Sequence, residues 1–193
     1  MSEFILALIS AALINNLVLH QGQAIDPLLH THPEQNRRQV HALGLSTLLL
    51  LVLAVGLGQL LFRLALLPLQ LEYLYLIVFL VLSMGLIVLT LRLLTGLLPA
   101  LPFDGLAPLL LTNLALIGLS LQASAGDQGI AQTLGWSVAG GLGFWLALGL
   151  LTELRQRSDN DDIPTAFRGL PIELIGAGVM ALAFLGFNGL LTS

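Results

Sequence analysis

The chain contains no cysteine, which excludes disulfides, thiolate-held metals and cysteine nucleophiles at once. It contains no lysine either; all seven basic residues are arginine. Charged residues make up only 9% of it and apolar residues 56%, whereas a soluble domain carries about 25% charged residues. A soluble fold is thereby excluded, and the lipid bilayer is the medium. No basic stripe marks a nucleic-acid partner. No nucleophile is paired with a base, no glycine loop is built to cradle phosphate, and no HExxH helix is present. No catalytic residue of the chain's own is evident. The net charge of −4 says little, because in a membrane protein charge matters by location.

What is present is a series of apolar stretches: about 4–19, 40–64, 71–94, 106–121, 134–154 and 170–191. A helix crosses a bilayer with about 20 apolar residues. The second, third, fifth and sixth stretches reach that length; the first and fourth are shorter. These two short stretches carry asparagine in their middle: Leu13-Ile14-Asn15-Asn16-Leu17 and Leu110-Leu111-Thr112-Asn113-Leu114. An amide in an apolar run is costly unless it finds a partner or a wet cavity. Short, polar-interrupted segments at matching places in two halves are the expected mark of broken helices around a central site. The alternative is two ordinary spans whose amides bond to a neighbouring helix.

The match extends further. Leu43-Gly44-x-Ser46 corresponds to Leu134-Gly135-x-Ser137, and Glu72 and Gly85 are 13 apart, as are Glu173 and Gly186. The expected fold is all-α: six transmembrane helices in two inverted three-helix repeats, about 1–98 and 99–193, with the first and fourth helices short or broken. An odd number of spans per repeat turns the second half upside down. Arginine sets the orientation. With the N-terminus outside, Arg37, Arg38, Arg92, Arg155, Arg157 and Arg168 fall on the inner side and only Arg63 on the outer. Both termini are therefore expected outside, across a bacterial inner membrane. The start of the chain lacks a positive region and a small-residue cleavage site, so it reads as a retained span. Prolines at 68, 99 and 102 fall in links, and glycines at 135, 140, 141, 143, 149, 176, 178, 186 and 189 suit close helix approach.

Candidate chemistry is sparse. His20, Asp26, His30 and His32 share one loop, with His41 beyond it. His30-x-His32 can chelate a metal, but no spacing fixes a known site, so the expectation is solvated side chains and no metal. Asn15, Asn16, Thr112 and Asn113 are the candidates for a polar centre. Glu72 and Glu173 stand near span ends, as interfacial residues or as part of an ion path. Asp104 precedes the fourth stretch, where a helix cap accounts for it.

Several segments resemble the RnfA/NqrE family: Leu13–Leu19, Leu110–Gly118, Ile163-Pro164-Thr165-Ala166-Phe167-Arg168-Gly169 and Ile172–Leu190. The last contains Ala177-Gly178-x-Met180 and Ala183-Phe184-Leu185-Gly186-Phe187-x-Gly189. The similarity runs over nearly the whole chain in the same order. It implies a subunit of an Rnf- or Nqr-type complex that couples electron transfer to ion translocation. The implied partners are a homologous, oppositely oriented membrane subunit (RnfE- or NqrD-like) and the other subunits of the complex. It also implies a [2Fe-2S] cluster near the membrane centre, with two cysteines from each of the paired subunits. Here those cysteine positions hold Asp26, before Pro27, and Leu114, after Thr112-Asn113. Leucine cannot ligate iron, and aspartate is a poor match for a thiolate-held cluster. The expectation is a subunit without its own cluster. The alternatives are a free-standing inverted-repeat transporter or channel, or a non-redox assembly paralogue.

Overall fold

The computed structural model describes residues 37–125, 129–158 and 163–186, together with Ala12 and Asn16. Among these residues every regular element is helical. Helix α1 (Arg37–Leu61) continues into a π turn (Phe62–Leu66) and, after a 3-10 turn (Glu72–Leu74), leads to α2 (Tyr75–Leu97). A link carries the chain to the five-residue α3 (Ala107–Leu111), then α4 (Leu114–Ala125), α5 (Ile130–Ser158) and α6 (Leu170–Leu185). Four segments, 37–66, 72–97, 107–124 and 130–158, are long and apolar enough to cross a membrane, and α6 is a shorter apolar helix. The chain is an all-α, multi-pass membrane protein. The fourth stretch is broken where its asparagine stands; the first lies outside the described residues except for Ala12 and Asn16.

In hydrocarbon every backbone amide must bond within the chain, so leucine-rich runs become helices and polar backbone collects in the links. Gly105 and Gly169 both take φ +77, the left-handed region that glycine enters freely, just before α3 and α6. Proline then stands in the first turn of each of these helices, where its missing N–H does no harm. Asp104 does not cap α3: the helix is entered through Leu106 with no side-chain cap. The turn at Gly105 and the burial of Phe103 and Leu106 set the entry instead.

The core lies along the seam between α1 and α5, built on Leu43, Leu50, Leu51, Ala54, Phe144, Ala147 and Leu148. Two glycines permit the close approach. A Cβ on Gly141 would come 2.7 Å from the Cα of Leu48, and one on Gly44 would enter the Trp145 ring. Gly149, Gly178 and Gly186, by contrast, have nothing within 4 Å, so those glycines do not serve helix approach among the described residues. Helix α2 buries one stripe, Tyr75, Phe79, Ser83, Leu86, Ile87, Thr90 and Leu94, and turns Ile77, Val81, Met84 and Val88 outward. Helix α6 has no buried residue and rests on the end of α5, with Gly176 against Leu154.

Two ion pairs identify one rim of the bundle. Arg37 at the start of α1 meets Glu153 near the end of α5 at 3.0 Å. Arg155 of α5 meets Glu173 in the first turn of α6 at 2.6 Å. Glu72, in the 3-10 turn that opens the segment 72–97, lies at the opposite rim and is exposed.

Candidate functional site

The break between α3 and α4 is built from backbone groups upward. Thr112 N donates to Pro108 O at 3.1 Å and Asn113 N to Leu110 O at 3.4 Å, closing α3 with a tightened turn. The side-chain oxygen Oδ1 of Asn113 then accepts from Ala115 N at 3.1 Å, while Leu116 N donates to Asn113 O at 3.2 Å. Asparagine competes with the helix for its own backbone and is among the best N-caps. Here it caps α4 from inside an apolar segment. In an uninterrupted helix the amides of Ala115 and Leu116 would bond Leu111 O and Thr112 O. The cap diverts both, so these two carbonyls lose their helical donors.

The surroundings of the break are uneven. Asn113 is only 1% exposed, and its Nδ2 has no hydrogen-bond partner among the described residues. Thr112 is exposed, its hydroxyl turned back on Pro108 O at 3.2 Å, and Leu111 and Leu114 are 50% and 49% exposed. The break therefore lies at the surface of the described bundle, with Thr112 and its flanking leucines exposed. By helical rise it lies about 9 Å from the start of α3, well inside the hydrocarbon of a bilayer about 30 Å thick.

Asn16 sits differently. It is fully buried, and its Nδ2 donates to Ala12 O at 2.9 Å and to Gly143 O at 2.8 Å. Glycine at 143 makes this possible. A Cβ there would lie 2.7 Å from Ala12 O and 3.0 Å from Asn16 Nδ2. Asn16 thus ties the first apolar stretch to α5 through backbone oxygens.

The remaining sequence candidates do not gather at the break. Glu173 is held by Arg155, with side chains 17% and 11% exposed, and Glu72 stands at the other rim. Asn15, Asp26, His20, His30 and His32 lie outside the described residues. His41 is exposed, and its Nδ1 accepts from Trp145 Nε1 at 3.1 Å in an edge-on ring contact. Sequence reasoning missed Gly143 as the seat of Asn16; the glycine was visible, but nothing in the pattern said which helix approaches it. It also missed Arg155 as the partner of Glu173, since an ion pair across 18 residues and a turn leaves no periodic signal.

The donor set at the break does not fit a thiolate-held iron–sulfur cluster. Leu114, the first residue of α4, offers no lone pair, and no cysteine exists elsewhere to replace it.

Residues 4–191 match the family described as "Rnf-Nqr subunit, membrane protein". The chain is 35% identical to the A-type subunit of the ion-translocating oxidoreductase complex of Syntrophotalea carbinolica, over 98% of both chains. It is 37% identical to the subunit of that name from Pseudomonas aeruginosa, again over 98% of each. A third relative of that name, from Azotobacter vinelandii, is 36% identical over 99% of each. With apolar spans, a helix broken at Thr112-Asn113 and similarity along its whole length, the chain belongs to the Rnf-Nqr family of membrane subunits.

Proposed function

We propose that this chain is an RnfA-like subunit of a complex that couples electron transfer to ion translocation. In that complex it serves as membrane scaffold and ion-path wall rather than as an electron carrier. The exposed break at Thr112-Asn113 carries the reading. Non-helical backbone at membrane depth is tolerated against protein or a watery cavity, not against lipid. Leu111 O and Thr112 O have lost their helical donors on a surface the described residues do not cover. A protein partner that supplies donors at this depth satisfies them. The family relationship indicates its nature: a homologous membrane subunit of opposite orientation, within a larger assembly.

The same reading includes two inverted three-helix repeats, divided near residue 98. It places both termini outside the inner membrane, on the arginine distribution. No iron–sulfur cluster is held by this chain, because Leu114 replaces the donor that the break would need. Asn15, Asn16, Thr112 and Asn113 form the polar centre. Glu72 and Glu173 stand at opposite rims of any ion path.

Purification from membranes in mild detergent, with mass spectrometry of co-purifying chains and iron analysis, tests this. The expected result is recovery with other membrane subunits, and crosslinks from Thr112→Cys to a partner chain. Recovery of the chain alone, monomeric and moving ions in liposomes, would favour a free-standing transporter and sink the subunit reading. Iron and sulfide that are stoichiometric with this chain and lost on Asp26→Ala would overturn the cluster-free part alone.

A further inference from the structure

Hydroxyls inside these helices follow a habit. Those of Thr95, Thr133, Ser137 and Thr152 donate to the carbonyl four residues back, at 2.8–3.3 Å, and those of Ser83, Ser120 and Ser124 to the carbonyl three back. Such back-bonding is the cheap way to satisfy a hydroxyl away from water. Ser46, Thr47 and Thr90 break the habit. All three are 0% exposed, and none of their oxygens has a hydrogen-bond partner among the described residues.

Helical register sets two of them on the faces that the two helices turn toward each other at one contact. Gly58 of α1 packs on Phe79 of α2, where an added Cβ would meet the ring at 2.9 Å. The two helices are consecutive and antiparallel. Eleven residues back along α1 lies Thr47, and eleven residues on along α2 lies Thr90. Eleven residues is about three helical turns, which keeps the face of each helix and moves both positions by the same rise, about 16 Å, toward the same rim. Thr90 accordingly lies on the buried stripe that includes Phe79. Ser46 sits one residue from Thr47 at the same depth. By helical rise Thr47 lies about 15 Å inside the start of α1 and Thr90 about 10 Å inside the end of α2.

The chemistry selects the ligand. An unsatisfied hydroxyl needs an acceptor for its proton as well as a donor for its lone pairs. A metal cation cannot accept the proton, and an anion buried here would have no paired charge. Water does both. We propose that the seam between α1 and α2 holds a buried water site, with Thr47 and Thr90 as its ligands and Ser46 at its edge. The inference does not depend on assembly into a complex. It assigns a buried water to two long apolar stretches, 40–64 and 71–94.

The test is X-ray hydroxyl-radical footprinting of the full chain, with any co-purifying subunits, in nanodiscs and oxygen-18 water. The side chains one turn away, Leu51 and Leu86, are expected to gain label although they are buried. Label at neither residue overturns the proposal. A thermal cycle gives the second readout. Thr47→Val and Thr90→Val each lower the melting midpoint by about 2–4 °C, and the double variant by little more than either. Exposed, back-bonded Thr95→Val serves as control. If no water is shared, removing an orphan hydroxyl leaves the midpoint unchanged or raises it, additively, and the proposal falls.

Discussion

Asn16 and Asn113 occupy matching places in two apolar segments, yet their amides meet opposite fates. Both are buried almost completely. Asn16 spends its Nδ2 on two backbone oxygens, one of them 127 residues away, and so joins two parts of the bundle. Asn113 turns its oxygen on its own backbone, two residues ahead, and leaves its Nδ2 without a partner among the described residues. The first amide is a tertiary clamp and the second a local cap. The difference lies in the neighbours. Gly143 lets the backbone of α5 come within reach of Asn16. No described carbonyl comes within reach of the Asn113 amide. A repeated sequence motif therefore does not imply a repeated interaction; it implies a repeated tolerance for a polar group at that depth.

The largest expected effect tests the clamp. Asn16→Leu removes both hydrogen bonds and pushes branched methyls against Gly143, where no room exists. The expected loss of stability is about 3 kcal/mol, the range for breaking a buried polar network while overpacking its site. Thermal melting of the purified protein and the yield of assembled complex both read it. A loss no greater than that of a leucine swap at an exposed position would show that the amide is merely tolerated.

Next in size is the seat of the clamp. Gly143→Ala places a Cβ 2.7 Å from Ala12 O, a backbone atom that cannot rotate away. The expected cost is about 2 kcal/mol, since α5 and the first stretch must part. Gly149→Ala, on the same helix with nothing within 4 Å, is the control. There the better helix propensity of alanine gives no loss or a gain of up to about 1 kcal/mol. Equal effects at 143 and 149 would remove the clamp from the comparison.

Much of this was legible in the residues, for identifiable reasons. Apolar length located spans at about 40–64, 71–94 and 134–154, which the structure extends to 37–66, 72–97 and 130–158, because hydrocarbon thickness leaves little freedom. The break at Thr112-Asn113 was legible too, because asparagine in an apolar run has few roles other than cap or clamp. Which of the two roles it takes was not, since that depends on whether a foreign carbonyl comes close. Asp104 misled for a related reason. A carboxylate before a helix suggests a cap, but the positive φ of Gly105 and the burial of Phe103 and Leu106 route the chain past it. The unbonded hydroxyls of Thr47 and Thr90 left no trace in the sequence, where they look identical to Thr95 and Thr152.

The smallest effects decide what Asn113 contributes. Asn113→Ala removes the acceptor for Ala115 N and also the unpartnered Nδ2. Losing an N-cap costs about 1 kcal/mol, and relief of a buried orphan donor offsets part of it. Asn113→Ser separates the two terms, because a serine hydroxyl caps nearly as well and carries no amide. If the orphan donor only costs stability, Asn113→Ser matches or exceeds the wild type by up to about 0.5 kcal/mol in the isolated chain. In the assembled complex the sign is the informative quantity. A partner carbonyl that bonds Nδ2 makes the serine variant stable alone yet weak in assembly, whereas equal assembly by both would confine Asn113 to its cap. The first outcome would restore the symmetry with Asn16, since each amide would then clamp a foreign carbonyl, one within the chain and the other across subunits.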